Sequence, residues 1–430
     1  MNFCIPDPDE WDPRSRVDLT FNLGDAIRYH REMTVPGIGG LRFVRQLSWA
    51  VMGIALSKEQ NNTLKANVIA NGIEALGCKV EYCRNKEDYT FIGSRAFGRD
   101  NEVALFKYLC QSKYYVQNTY RQSIVTALSS LGFCESSRFN QMKLTQIGEN
   151  LRNAFGSQKL RFHFNKMGKK PETTCEEFLK KWTSNDSEKF FDNVLKDDEC
   201  YRILSPKMAS LEEKKVVWNR LNARNERPEN DKERRVHLIE LMDKIERIKD
   251  PSERNLCQLL EEKGYISHSR QIQDAVRFNK MRDAAIDVLH QCCRFIEDNN
   301  NEIKLVACSK DVSVKDSYGI LIERCKDYIN NLYEKDSVPV SSRNFAKKFI
   351  DVTTEDGIAF LVKQENGIVD LVGNLLRPLN LFQKFLDRYS NEGDSEEADS
   401  EDNADLKRSQ TGWELPRMRQ WCQLWEDAHV

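Results

Sequence analysis

The stretch Leu131-Gly132-Phe133-Cys134-Glu135-Ser136-Ser137-Arg138-Phe139-Asn140-Gln141-Met142-Lys143-Leu144-Thr145 decides how the chain is read. A run of helical period ends at Leu131 and meets a glycine, the residue that most readily takes the left-handed conformation closing a helix. Phe133-Cys134-Glu135 then reads as a short strand, Ser136 to Asn140 as a polar tip, and Gln141 to Leu144 as the returning strand. Thr145 is placed to cap a further helix through Leu151. Two short strands about a polar tip make a hairpin held between two helices, and Leu128 and Leu131 are expected to be buried beneath it.

On the N-terminal side, Glu102 to Gln111 reads as a short amphipathic helix with Val103, Phe106, Leu109 and Cys110 on one side. The polar-aromatic turn Ser112-Lys113-Tyr114-Tyr115 leads into a second helix, expected from Asn118 to Leu131. That helix buries Ile124, Ala127, Leu128 and Leu131, and it presents Gln117, Tyr120, Arg121 and Ser123 near its exposed first turns. This order resembles the winged helix-turn-helix DNA-binding superfamily, above all at the helix-glycine-strand junction Leu131-Gly132-Phe133. The closing Lys143-Leu144-Thr145-x-x-Gly148-x-x-Leu151 resembles the exit of MarR-like regulators. The resemblance spans residues from about 101 to 155.

That superfamily sets its second helix in the major groove and lays the hairpin, or wing, on the backbone. Carried over by position, the resemblance implies that Gln117, Asn118, Tyr120, Arg121 and Gln122 read bases or touch phosphates. Arg138, Asn140 and Lys143 would belong to the wing, and Arg95 and Arg99 would extend the phosphate track upstream. Double-stranded DNA is the implied partner. Winged helices also serve as protein-binding modules, and this second helix is only modestly basic, so a purely protein-binding role stays open.

Composition bounds the rest. The chain has 430 residues, 40% hydrophobic and 31% charged, with 65 Lys and Arg against 67 Asp and Glu, for a net charge of −2. That length allows several domains, and without a global basic excess any nucleic-acid surface must be a local patch. Thirteen cysteines, an odd number without framework spacing, fit reduced thiols in a cytosol. The N-terminal Met1-Asn2-Phe3-Cys4 has neither the basic nor the apolar region of a signal peptide. The most apolar stretch, Leu41 to Leu56, carries Arg42, Arg45 and Gln46 and falls short of a membrane span. A soluble cytoplasmic protein is expected.

The expected fold class is mainly α and multidomain, with a small β-hairpin in the N-terminal winged helix-turn-helix and a helical C-terminal region. Residues 1–100 read as a helical platform, 101–158 as the winged-helix module, 159–225 as a helical connector, 226–390 as a mainly helical domain, 391–410 as a disordered acidic linker and 411–430 as a tail that docks back. Within the platform, helices are expected at Leu19 to Glu32 and through Leu56, and Ser57 with Gln60 resembles a capping box for a helix ending at Gly77. Further helices are expected at 174–182, 186–195, 210–223 and throughout 231–299. Ile303 to Ala307 and Gly357 to Val362 read as strands. Eight of the fourteen residues from Glu392 to Asp405 are acidic, a composition that cannot bury apolar surface.

Four features touch on chemistry, and each has a plainer reading that is preferred. Glu302-Ile303-Lys304 echoes the acid-x-lysine element of metal-dependent nucleases, but no strand with an aspartate precedes it. His290-x-Cys292-Cys293 places three ligand types on a helix where they do not converge. Gly37-Ile38-Gly39-Gly40, followed by Arg42 and Arg45, offers amides to an anion without a Walker ending. His268 has no placed acid. No catalytic residue, metal or cofactor is expected. The chain as a whole resembles accessory subunits of bacterial anti-phage and restriction systems, which implies an antiviral role beside a nuclease, helicase or ATPase partner. A protein-binding scaffold and a divergent nuclease using Glu302 and Lys304 are the alternatives.

Overall fold

The computed structural model describes residues 19–60, 63–85, 97, 104–111, 114–116, 119–161, 172–184, 194–222, 230–248, 251–299, 302–364, 367–383, 385–386 and 413–429. The chain is mainly α-helical with a few small antiparallel sheets. In chain order the elements are α1 (Gly24–Thr34), α2 (Val44–Glu59), α3 (Ala66–Arg84), α4 (Phe106–Leu109), α5 (Tyr120–Ser123), α6 (Val125–Ser130), β1 (Cys134–Glu135), β2 (Lys143–Leu144), α7 (Gln146–Gly156), β3 (Lys159–Arg161), β4 (Glu172–Thr174), α8 (Cys175–Ser184), α9 (Asp198–Leu204) and α10 (Leu211–Leu221). There follow α11 (Asn230–Ile245), α12 (Glu253–Glu262), α13 (Ile266–Asp298), β5 (Ile303–Lys304), α14 (Leu305–Cys308), α15 (Val312–Asn331), α16 (Val340–Ile350), α17 (Thr354–Gln364), β6 (Val369–Val372), β7 (Leu375–Pro378) and α18 (Pro416–Ala428).

The chain divides into two compact units, one of residues 1–31 and 269–396, the other of 32–268 and 397–430. The second unit is built on α2 and α3. Every residue of α2 from Val44 to Ser57 is buried, as a helix at the centre of a unit requires. Gly53 brings it against Ala70, and Gly77 of α3 lies under the Trp49 ring where a methyl group would collide. Trp49, Leu76, Phe155, Phe178 and Trp182 share this core.

Two buried charges tie the unit together. Arg45 and Glu213 are both fully buried and 3.2 Å apart. Arg45 also donates to the Ile203 and Met208 carbonyls, while Glu213 accepts from Ser48, Gln158 and the Ser210 amide. These bonds offset much of the cost of burying the pair, although the Arg45 Nε is left without a hydrogen-bond partner. Met418, Trp421 and Leu424 of α18 are fully buried. Glu253 accepts from the Leu415 amide at 2.7 Å, and Asp427 accepts from the Val44 amide at 2.7 Å.

In the first unit α15 carries Val314, Tyr318, Leu321, Cys325 and Tyr328 on one buried face, the spacing of an amphipathic helix. Asp311 caps it through the Val314 amide at 3.0 Å. The core also takes in Phe345 and Phe349 of α16, Ile358 and Leu361 of α17, and Val369 and Leu376 of a three-stranded sheet ordered β5-β7-β6.

Several elements depart from the sequence reading for identifiable reasons. Ser57 does not open a helix. It lies inside α2, and its hydroxyl donates to the Leu64 carbonyl at 2.6 Å. Gly77 does not end one either, because its lack of a side chain serves packing. Gly357 to Val362 is helical: Thr353 accepts from the Asp356 amide at 3.2 Å, and this cap decides an apolar run that either period accommodates. The strand at Ile303 stops at Lys304, and the strands β6 and β7 follow instead. The expected second helix is broken at Ile124 into α5 and α6, because the Gly40 amide takes the Ser123 carbonyl at 2.7 Å. Of the helix expected at 186–195, residues 186–193 lie outside the described residues and 194–195 belong to a short 3-10 turn; the acidic run also lies outside the described residues.

Candidate nucleic-acid interface

The segment from α5 to α7 is assembled by local bonds that its sequence specifies. At the end of α6, Gly132 adopts φ +77°. Its amide bonds the Ser129 carbonyl at 3.0 Å, and the Phe133 amide bonds Leu128 at 2.9 Å. This pair of bonds is the Schellman motif, which satisfies carbonyls that a helix end leaves open. Leu128 and Leu131 are buried at 0% and 1% exposure.

The hairpin pairs Cys134 with Leu144 and Glu135 with Lys143. Thr145 closes its base, donating to the Gly132 carbonyl at 2.6 Å and accepting from the Gly148 amide at 3.2 Å to cap α7. Gly148 lies where a methyl group would overlap the Phe133 carbonyl oxygen. That close approach seats α7 on β1.

The hairpin tip folds back onto α3. Phe139 is buried, and the Asn140 side-chain oxygen accepts from the Asn67 amide at 2.9 Å, supplying a partner for one open donor in the first turn of α3. Arg121 lies with its guanidinium 5.0 Å over the Phe139 ring and donates to Asn71 at 2.7 Å. Below it, Glu74 of α3 accepts from the Tyr120 and Arg121 amides, each at 2.7 Å, and from the Tyr115 hydroxyl. Burial raises Glu74 to about 7, against the pull of those hydrogen bonds. Burial also lowers the Arg121 pKa, while Glu74 works to raise it.

The structure places the sequence-derived residues unevenly. Tyr120 is buried, with 3% exposure. Arg121 is half-buried and bonded within the protein. Gln122 is exposed, but its side chain completes a capping box with Thr119. Arg138, Asn140 and Lys143 are exposed on the hairpin. Arg95, Arg99, Gln117 and Asn118 lie outside the described residues. The fully exposed side chains of α5 and α6 are therefore Gln122 and Thr126, both uncharged, while Ser129 and Arg121 are half-buried. Two lysines that sequence reasoning did not single out, Lys58 and Lys65, are exposed beside the hairpin at the α2–α3 corner.

The other motifs singled out from the sequence have the following surroundings. Glu302 pairs with Arg377 at 2.9 Å across the β5–β7 ladder. Cys292 and Cys293 are fully buried, and a hydrogen bond involving Cys308, together with burial, raises the Cys292 pKa. His268 meets the Thr34 carbonyl at 2.9 Å, and burial lowers it to about 3. In the glycine loop the Gly37 amide is donated to Glu32 at 2.6 Å, the Gly40 amide to Ser123, and Arg45 is committed to Glu213. That loop presents neither these amides nor Arg45 to an anion. Among the described residues no group of three or more His, Cys, Asp or Glu is placed to hold a metal ion, and no helix is long and apolar enough to cross a membrane. No family model, no curated protein and no solved structure matches the chain.

Proposed function

We propose that this chain is a non-catalytic DNA-binding protein whose segment from α4 to α7 acts as a winged-helix module on double-stranded DNA. The observation that carries the reading is the consecutive assembly of α6, the Gly132 turn, the β1–β2 hairpin and the Thr145-capped α7. This order presents an exposed hairpin bearing Arg138 and Lys143. By the whole-chain resemblance, the DNA-bound protein would serve as an accessory subunit in bacterial anti-phage defence, beside a nuclease, helicase or ATPase.

The test is anisotropy of a labelled duplex titrated with the full chain over a range of salt. Affinity that falls steeply as salt rises supports the reading, since phosphate contacts release counterions. An absence of duplex binding at low salt rejects it. The uncharged, exposed Gln122 and Thr126 favour one second reading, a module that binds protein. The nuclease alternative has its own check. Metal-dependent cleavage of plasmid DNA by the wild type, lost in Glu302→Ala, would establish it. No cleavage in either is expected, because a helix, α13, and not a strand bearing an aspartate, precedes Glu302.

A further inference from the structure

We propose that the DNA contact is a rim of four cations around the hairpin, Lys58, Lys65, Arg138 and Lys143, which grips phosphates with little regard to base sequence. The inference rests on the DNA-binding reading above. It moves the contact away from α5 and α6 and extends it outside the module to the α2–α3 corner.

Three observations converge on these residues. First, they surround one feature. Lys143 lies on β2 and Arg138 at the tip. Lys65 is the residue from which α3 starts, two positions before Asn67, whose amide is held by Asn140 of the tip at 2.9 Å. Lys58, near the end of α2, is close enough to Cys134 on β1 to oppose the rise that burial causes in that thiol's pKa. All four side chains are exposed.

Second, the nearby acids of α2 and α7 are engaged by other cations. Glu59 is taken up by Arg152 and Lys180, and Glu149 by Arg152. Glu135, the acid of the hairpin itself, faces Lys143 across the ladder and offsets part of its charge, which leaves Lys58, Lys65 and Arg138 in excess. Compact clusters of unneutralised cations are the footprint of phosphate binding.

Third, the helix that would read bases is poorly equipped to do so. It is split at Ile124 into pieces of four and six residues, its exposed face is uncharged, and Arg121 is bonded to Asn71 and stacked on Phe139. Base discrimination depends on side chains such as Arg reaching groove edges. Phosphate contacts, by contrast, carry no sequence information directly.

The experiment uses the full chain with two labelled duplexes of equal length and unrelated sequence. The variants are Lys58→Ala/Lys65→Ala, Arg138→Ala/Lys143→Ala and Thr126→Ala, each checked for wild-type circular dichroism. All replaced side chains are exposed, so folding is expected to survive. The wild type should bind both duplexes within about threefold. Its log affinity should fall with log salt at a slope of about −3 to −4, near −0.9 per phosphate contact. Each double cation variant should flatten that slope by about 2 and weaken binding at least roughly tenfold at moderate salt, while Thr126→Ala binds as wild type. Full affinity in both cation variants with weakening in Thr126→Ala, or a strong preference between the duplexes, overturns the rim and leaves the DNA-binding reading standing. Failure of the wild type to bind either duplex overturns the reading itself, and the rim with it.

Discussion

Glu74 is completely buried, yet it holds three donors from the segment that leads into α5. Burial makes its charge costly, and the result is a carboxyl group raised to about 7 from an ordinary 4.5. Such an acid keeps its proton longer in the folded state than in the unfolded one. Its contribution to stability is therefore complete below 4.5 and is lost as pH rises through about 7. The full loss is at most about 3 kcal/mol. Buried histidines act in the opposite sense: His30 and His268, both lowered to about 3 from 6.5, cost stability as pH falls below 6.5. A comparison with Glu74→Gln separates the two effects. Relative to that variant, the wild type should lose stability in urea unfolding between about pH 5 and about pH 8. A difference that does not change over this range would show that Glu74 titrates normally.

At the scale of elements, the junction of α6, the hairpin and α7 depends on two glycines with different duties. Gly132 supplies a positive φ, whereas Gly148 has an ordinary backbone and supplies closeness to the Phe133 carbonyl. Gly148→Ala should therefore destabilise the second unit by about 1–3 kcal/mol, the cost of forcing atoms into a packed contact. A thermal unfolding curve identical to wild type would mean that α7 is not seated on β1 as described. This junction was legible in the sequence because caps, glycines and the hairpin are specified by residues near one another. Legibility failed where a local signal competed with a distant one. The cap-like Ser57 is overruled by the packing of α2 on α3. The apolar stretch from Gly357 to Val362 has no period of its own and takes its form from Thr353. The break at Ile124 comes from Gly40, far away in the chain. Half of the proposed rim was invisible for the same reason, since Lys58 and Lys65 meet the hairpin only through the fold.

Across the whole chain, two neighbouring C-terminal stretches differ sharply in composition, one acidic and one rich in Trp, Leu and Met. Helix α18 belongs to the interior of its unit. Trp421→Ala should cost about 3–5 kcal/mol, read as a lower unfolding midpoint in denaturant, and an unchanged midpoint would contradict its burial. The stretch from Glu392 to Asp405 is set apart by its charge. Without its eight carboxylates, the net charge of −2 would become +6, so the remainder of the chain is basic. A tethered polyanion competes with nucleic acid for cationic surface, and salt screens that competition over about 10 Å at 0.1 M. Deleting 392–405 should leave the fold intact, tighten duplex binding several-fold at low salt, and make little difference at high salt. The deletion should lose this advantage when combined with Arg138→Ala/Lys143→Ala, because the polyanion and the duplex would then have lost the same target. Equal affinity of the deleted and full-length chains at low salt would reduce the acidic stretch to a connector.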